Sequence, residues 1–413
     1  MPTLKPFKGI RYADTDAMAQ LICPPYDIIS PSEQAELHHR HGHNAVRLEL
    51  AQRSGAGDDR YAAVRDLFTT WLESGVLATD QKDSLYVYRQ DFTAADGSRR
   101  RVAGVIGALE LEEFGHDAGV LPHERTMQGP KEDRLALLRA VELNVSPIYA
   151  IYRGGGGLAP FLDALENRPT TVRVQDEQGI LHRLWVINAP AELEMLSDAI
   201  SPGPLVIADG HHRYETALAF HREQAAKSIE GDHDSIMCFC VDADSEELVV
   251  LPYNRAVKTT TSTATVVERL RSGFAAEPAD LEEADSLLGS DGADHSYLFV
   301  FSEGSYLARL SDAEVVAEVG ERHPAWRSLD VVGLHEVLLK RVLDEDSPGL
   351  TFSKDPQEIL GLVRDGSHDF GVLLRALRAS EIVDVATSGE RMPQKASYFW
   401  PKAITGLVFH SLR

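Results

Sequence analysis

Cysteine is nearly absent from this chain, with only Cys23, Cys238 and Cys240 in 413 residues. That excludes a disulfide framework. Cys238 and Cys240, two apart in SIMCFCVDA, lack the CxxC spacing of a redox or zinc site. Their spacing instead puts both thiols on one face of a strand, where buried sulfur is ordinary packing. Positive charge is also scarce. Lys and Arg number 41 against 64 Asp and Glu, a formal net charge of −23, so no general nucleic-acid partner is expected. Solubility is the simplest meaning of this excess. No apolar run reaches the roughly 20 residues of a bilayer span, and no membrane partner is expected. The N-terminal MPTLKPFKGIRYADTD lacks the apolar core of a secretion signal. A reduced, cytoplasmic protein is the expectation. Also missing are GxxxxGK[ST], a strand-linked GxGxxG, GxSxG and HExxH, which disfavours Walker, Rossmann, nucleophile-elbow and zincin sites.

What is present is an ordinary globular composition, 43% hydrophobic and 25% charged. At about 100–200 residues per domain, two or three domains are expected. The pattern divides into residues 1–257, with a candidate break at the four-glycine loop 153–157, and residues 258–413, which begin with the polar run TTTSTATVVERL. Ser30-Pro31-Ser32-Glu33 is a capping-box pattern that starts a helix running to about His41. Ala45–Leu50 alternates like a strand, and Tyr61–Leu72 has helical spacing. Leu85–Phe92 and Val102–Leu111 read as strands around an Asp96-Gly97 hairpin turn. Further strands are expected at Val145–Tyr152, 170–175, 180–188, 235–241, 248–251, 296–302, 305–310 and 369–375. Helices are expected near 158–166, 191–200, 264–272, 328–343 and 355–365. The mixture predicts α+β organisation with mixed sheets, followed by a C-terminal α/β extension.

The stretch PLVIADGHHRYETALAF carries the most chemistry. A buried strand (Leu205–Ala208) stops at Asp209-Gly210, and a helix begins with His211, His212 and Arg213. A strand–turn–helix junction points backbone N–H groups and a positive dipole end at whatever lies above the turn. With an acid, two imidazoles and a guanidinium on that turn, the box predicts an anion site with proton-transfer groups. Arg213 suits bidentate contact with a phosphate, and its replacement by Ala is expected to abolish nucleotide binding without disturbing the fold. Asp209 is placed to accept from backbone N–H groups or to help hold a metal. A simple helix cap is the alternative, but it accounts for neither histidine.

Three other clusters qualify. His123-Glu124-Arg125-Thr126, followed by Lys131 and Arg134, offers a general base (Glu124, or His123) and two cations on one helical face. A solvated loop is the plainer reading. Met392–Lys402 offers Lys395, Ser397, Tyr398 and Lys402 as a lid over an anion, or else a C-terminal strand with an aromatic core. Pro24-Pro25-Tyr26-Asp27, with Arg47 downstream, suits a rigid pocket wall that binds substrate, though such turns are common.

Together the boxes PFKGIRY, CPPYDIIS, PHERT with PKEDRL, SPIYAIY, IADGHHRYETAL and MPQKASYFWPK resemble the bacterial and archaeal family called domain of unknown function 1015. More distantly, DGHHR followed by a helix resembles the corresponding box of the ParB/sulfiredoxin superfamily, which includes free-serine kinases. That resemblance implies a nucleotide-binding core, with Gly210, His211, His212 and Arg213 on the phosphates. It also implies Asp209 near the transferred group or its Mg²⁺, with Glu124 as the catalytic acidic residue and Asp27 in reserve.

The expected function is therefore phosphoryl transfer from a nucleotide (ATP, ADP or CTP), with Mg²⁺, to a small hydroxyl compound such as free serine. The alternatives are a nucleotide-binding regulatory protein with little turnover, or a metal-dependent hydrolase built on His123, Glu124, His211 and His212. The oligomeric state is left open, a dimer included.

Overall fold

The apolar runs of the first half assemble into one large sheet. A computed structural model describes residues 1–52, 60–115, 118–124, 129–289, 295–343 and 348–413. Nine strands form the sheet: β1 (Leu4–Lys5), β2 (Leu85–Thr93), β3 (Arg99–Glu110), β4 (Val120–Pro122), β5 (Ile148–Tyr152), β6 (Val172–Gln175), β7 (Leu181–Ile187), β8 (Leu205–Asp209) and β9 (Ser235–Asp242). Their spatial order is β4-β8-β5-β9-β3-β2-β7-β6, with β1 paired to β3. The pairs β8–β4 and β9–β5 are parallel and the others antiparallel, so the sheet is mixed.

The central strands are buried on both faces, as their continuous apolar sequences require. Leu85, Val87, Val105, Ile148, Ile207 and Cys238 share one core with helix residues Tyr214 and Ala217. Phe239 on the other face meets Tyr88 and Tyr149 at centroid distances of 4.9 and 5.0 Å. Gly104 is needed where β3 meets β9, because a Cβ there would lie 2.2 Å from the Cys240 carbonyl oxygen. Cys238 and Cys240 are buried thiols with sulfurs 3.5 Å apart, side by side on one face.

Local sequence signals set most element ends. The capping box of Ser30 and Glu33 opens helix Pro31–Arg40, and the Asp96-Gly97 turn joins β2 to β3 with Gly97 at φ +79°. Ala45–Leu50 differs from expectation: it holds a helical turn, Val46–Glu49. The Asn44 side chain outweighs the alternation there. Its Oδ1 accepts from Val46 N at 2.9 Å, and its Nδ2 donates to the carbonyls of Gln20 and Ile22. The strand expected at Val145–Tyr152 is shortened to β5, which starts after Pro147, a residue unable to donate to a ladder; a separate short strand, Leu143–Asn144, precedes it. The four-glycine loop is exposed but tethered. The amides of Gly154 and Gly156 donate to the Asp242 carboxylate at 3.0 and 2.8 Å.

The chain divides into two units. The first holds Met1–Pro122, residues 129–248 and Pro401–Arg413, and the second holds His123, Glu124 and Val249–Trp400. The 257/258 boundary read from composition falls inside a strand of the second unit. That unit carries β10 (Asn254–Lys258), β11 (Glu277–Pro278), β12 (His295–Phe301), β13 (Gly304–Leu310), β14 (Gly349–Ser353) and β15 (Phe370–Leu373), in the order β11-β13-β12-β15-β10-β14. Every pairing in this sheet is antiparallel, so the expected α/β extension is an α+β unit instead. The tight β12–β13 connection, with Phe301 opposite Gly304, is one that only antiparallel strands permit. Its helices include Thr263–Gly273, Asp312–Val319, Pro356–Arg364 and Ala379–Thr387, and the segment Asp330–Leu343 contains a π-helical turn at Gly333–Leu338. Among the described residues, no helix is long and apolar enough to cross a membrane.

Candidate functional site

The apolar strand β8 ends where the chain must reverse into a helix. Gly210 makes that turn at φ +90°, and a Cβ there would lie 2.9 Å from Ile148 and 3.0 Å from the Arg213 guanidinium. Helix His211–Ala226 follows at once, its first bond running from Tyr214 N to Gly210 O at 3.0 Å. The expected strand–turn–helix junction is therefore present, with the positive end of the helix dipole at residues 211–213.

Asp209 is the centre of charge. A register shift between Ile207 and Asp209 sets it opposite Tyr149. Its Oδ2 accepts from Arg213 Nη2 at 2.7 Å, and its Oδ1 pairs with Lys402 Nζ. All three side chains are largely buried. Burial alone would raise the Asp209 pKa; Lys402 and Arg213 outweigh it and hold the carboxyl down at about 2. Asp209 is thus ionised at any ordinary pH. Both of its oxygens already face a cation, which does not suit the oxygen-only shell that Mg²⁺ demands. The tentative placing of Mg²⁺ on Asp209 does not fit this arrangement.

Arg213 points inward rather than toward solvent. Its Nη1 donates to the Pro147 carbonyl at 2.5 Å and to Ser146 Oγ at 3.1 Å, while its Nε is buried without a hydrogen bond. Ser146 Oγ in turn donates to Glu49 Oε1 at 3.1 Å. Glu49 is 3% exposed, and burial raises its pKa against the pull of Arg134 and Arg213. Arg134 donates to the Glu49 carbonyl at 2.8 Å and stacks on Tyr26 with its guanidinium 4.5 Å from the ring centroid. Burial raises the Tyr26 hydroxyl to about 12. Behind Arg213 lies a cavity of about 60 Å³ lined by Glu49, Ser146 and Thr216, far below the roughly 300–1,000 Å³ of a small-molecule site.

Asp27, on the short 3₁₀ turn Tyr26–Ile28, is the second carboxylate of this region. The surrounding protein raises its pKa, and the nearby charge of Asp209 raises it further, against Lys402 and Arg213. Asp27 is nevertheless exposed, and solvent moderates that shift. Two neighbouring carboxylates are therefore tuned in opposite directions.

The remaining candidates are divided between the two units. Arg47 donates to the carbonyls of His38 (2.6 Å) and His41 (3.3 Å), tying down a helix end. His211 is buried and lies close enough to Asp209 to help lower its pKa; His212 is half-buried. His123 and Glu124 belong to the second unit. There the His123 carbonyl accepts from Met392 N at 2.7 Å, Glu124 bridges to Met392, and His123 Nε2 lies 3.2 Å from Ser397 Oγ. Lys395, at φ +55°, sets its ammonium 5.0 Å from the Tyr253 ring centroid. Tyr398 lies in the strand Tyr398–Trp400, which pairs with Val249–Leu251. Lys131 lies in helix Gly129–Val141, but its side chain, like Arg125 and Thr126, falls outside the described residues. Glu49 and Ser146 were missed as site residues. A signal for Glu49 existed, a lone carboxylate between Leu48 and Leu50 in an apolar run.

No curated protein matches the sequence. Among solved structures, the chain is similar to a conserved hypothetical protein from Pyrococcus furiosus, at 13% identity and TM-score 0.34, covering 71% of this chain and 94% of the other. It is also similar to a free serine kinase in complex with AMP, at 14% identity and TM-score 0.33, covering 70% and 87%. A third is SbnI with a C-terminal truncation from Staphylococcus aureus, at 10% identity and TM-score 0.38, covering 73% and 85%. Likeness at this level carries no argument about activity. The family described as "protein of unknown function (DUF1015)" matches residues 4–332, most of the chain, and this protein belongs to that family.

Proposed function

We propose that the protein transfers a phosphoryl group from a nucleotide to a small hydroxyl compound such as free serine, on a ParB/sulfiredoxin-like core. The carrying observation is the pair of oppositely tuned carboxylates beside a helix N-terminus. Environments that push two neighbouring acids apart assign their roles. Asp209, held ionised by Lys402 and Arg213, fixes those cations at the turn. Asp27, with a raised pKa and an open face, is the group able to take a proton.

In this reading the phosphates lie against the backbone of the turn at Gly210 and the first helical residues His211 and His212, where the dipole favours negative charge. Asp27 accepts the proton of the acceptor hydroxyl as its oxygen bonds to phosphorus, and the bond to the departing nucleotide breaks. Catalysis of this kind is mostly positioning and charge neutralisation. Any Mg²⁺ arriving with the nucleotide would be held by the phosphate oxygens, since Asp209 is committed to Lys402 and Arg213 and Asp27 takes the proton; it would supply charge neutralisation. The test is a nucleotide-consumption assay with and without serine and related hydroxyl acceptors, with products followed by ³¹P NMR. Consumption should require the acceptor, and Asp27→Asn should lower kcat by about 10²–10⁴ while nucleotide still raises the melting temperature. Failure of every nucleotide to shift the melting temperature would overturn the proposal.

A further inference from the structure

Lys402 is fixed at both ends. Its ammonium pairs with Asp209 on β8, and its backbone carbonyl accepts from Gln90 Nε2 on β2 at 2.9 Å. These two strands stand four places apart in the sheet, about 19 Å at the usual strand spacing. One lysine therefore links them. The sheet face between carries Tyr88, Phe239 and Tyr149, whose rings meet in that order at 4.9 and 5.0 Å.

Gln90 makes its contact at a cost. Its side chain is wholly buried, and its Oε1 is without a hydrogen bond among the described residues. An unpaired buried acceptor is destabilising, and Met would fill similar space without one. What the amide supplies, and Met would not, is the donor to Lys402.

Two further ties fix the residues that follow. Tyr88 precedes Gln90 by two positions, on the same face of β2. Its hydroxyl lies 2.7 Å from His182 Nδ1, and His182 Nε2 lies 3.1 Å from Asp176 Oδ2. An ionised carboxylate only accepts, so Nε2 carries the His182 proton and Nδ1 accepts from Tyr88. The Tyr88 oxygen is then left to accept. Burial raises its pKa, and the Ile404 backbone, bonded to that oxygen, opposes the rise. Thr405 in turn exchanges both backbone hydrogen bonds with Cys23, at 2.9 and 3.1 Å, shortly before Asp27 in the chain. The segment 402–405 is thus pinned to β2 on one side and to the Asp27 loop on the other.

We propose that Gln90, backed by the Tyr88–His182–Asp176 relay, is a positioning residue that holds the Lys402 backbone where its ammonium reaches Asp209. Its meaning for catalysis rests on the phosphotransfer reading, whereas the placement itself can be tested without nucleotide.

The test follows the Asp209 carboxyl carbon by NMR in the full chain, from pH 7 down to about pH 3. In the native protein the signal should stay flat, because Lys402 and Arg213 outweigh burial and hold the carboxyl at about 2. In Gln90→Met it should titrate within that range, a rise of about one pH unit or more. Lys402→Met should do the same, and adding Gln90→Met to it should bring no further rise. Tyr88→Phe, which removes only the hydroxyl, should give a smaller rise and keeps the test decisive should Gln90→Met fail to fold. Val105→Ala, a packing loss on the other face of the sheet, should leave the signal flat. A flat signal in both Gln90→Met and Tyr88→Phe, a further rise in the double variant, or a rise in Val105→Ala would each overturn the proposal. Failure of nucleotide to bind while these titrations behave as expected would count against the phosphotransfer reading and not against this placement.

Discussion

Arg213 and Arg255 are both buried guanidinium groups, one in each unit, and they are held in opposite ways. Arg213 is ringed by Asp209, Asp27 and Glu49, and despite burial its pKa is raised. Arg255 is wholly buried, and no carboxylate meets it among the described residues. Its Nη1 donates to the Tyr253 carbonyl, its Nη2 to the Lys395 carbonyl at 3.0 Å and its Nε to His335 Nε2 at 3.2 Å. Burial pushes its pKa down to about 9, and burial with the Arg255 charge pushes His335, on the π-helical turn, down to about 3. The first unit assembles charges that answer one another. The second keeps a cation in place with neutral dipoles alone. Only the first arrangement leaves two acids with different proton affinities, which is the property a proton-transfer site needs.

The largest expected effect that would break this comparison is on stability. Removing one partner of a buried pair strands the other charge and costs about 3–5 kcal/mol. Arg213→Met should therefore lower the unfolding free energy in urea by about that amount, and Arg213→Ala should not leave the fold untouched, as the sequence alone suggested. Arg255→Met strands no anion, only the neutral acceptors at Tyr253, Lys395 and His335, so its cost should be smaller, about 1–3 kcal/mol. Equal losses for Arg213→Met and Arg255→Met would remove the distinction.

A smaller effect comes from acid. Asp209 has a folded pKa of about 2, below its ordinary 3.8. Its contribution, about 2 kcal/mol, is fully present above pH 3.8 and is lost as pH falls through about 2. Asp27 works in the other direction: its raised pKa costs stability as pH rises through it. His335 must remain neutral, with a folded pKa of about 3 against an ordinary 6.5. The unfolded chain binds that proton first, so stability is lost as pH falls below 6.5. After correction for the slower intrinsic exchange in acid, the protection of amides in Gly333–Leu338 should fall at pH 5 relative to pH 7, and that in His211–Ala226 should be unchanged. The reverse order would contradict the assignment. The smallest effect sharpens the same point: in Arg255→Met, the His335 pKa followed by NMR should move part of the way back toward 6.5, because burial, its larger cause, remains.

How much of this was legible in the sequence depended on how local the cause was. The capping box at Ser30, the turn at Asp96-Gly97 and the strand–turn–helix at Asp209 were readable because their determinants lie within a few residues. The Val46–Glu49 turn was not, because the Asn44 side chain is fixed by the distant carbonyls of Gln20 and Ile22. The antiparallel sheet of the second unit depends on pairings such as Asn254 with Ser353, which no short window contains. Within the candidate site, Asp209 and Gly210 were legible, as was the chemical type of Arg213. Its inward commitment to Pro147 and Ser146 was not. The weight given to Asp27 also came only from its neighbours in space.

Lys402, which partners Asp209 from 193 positions further along, ties the charge balance of the turn to residues made much later. Because chains emerge from the ribosome N-terminus first, the turn at Gly210 exists for the whole time needed to translate the intervening residues without its ammonium partner. A nascent or truncated chain that stops short of residue 402 would carry an acid poorly held in its charged form. The turn would gain its full charge pairing only once residue 402 had been made.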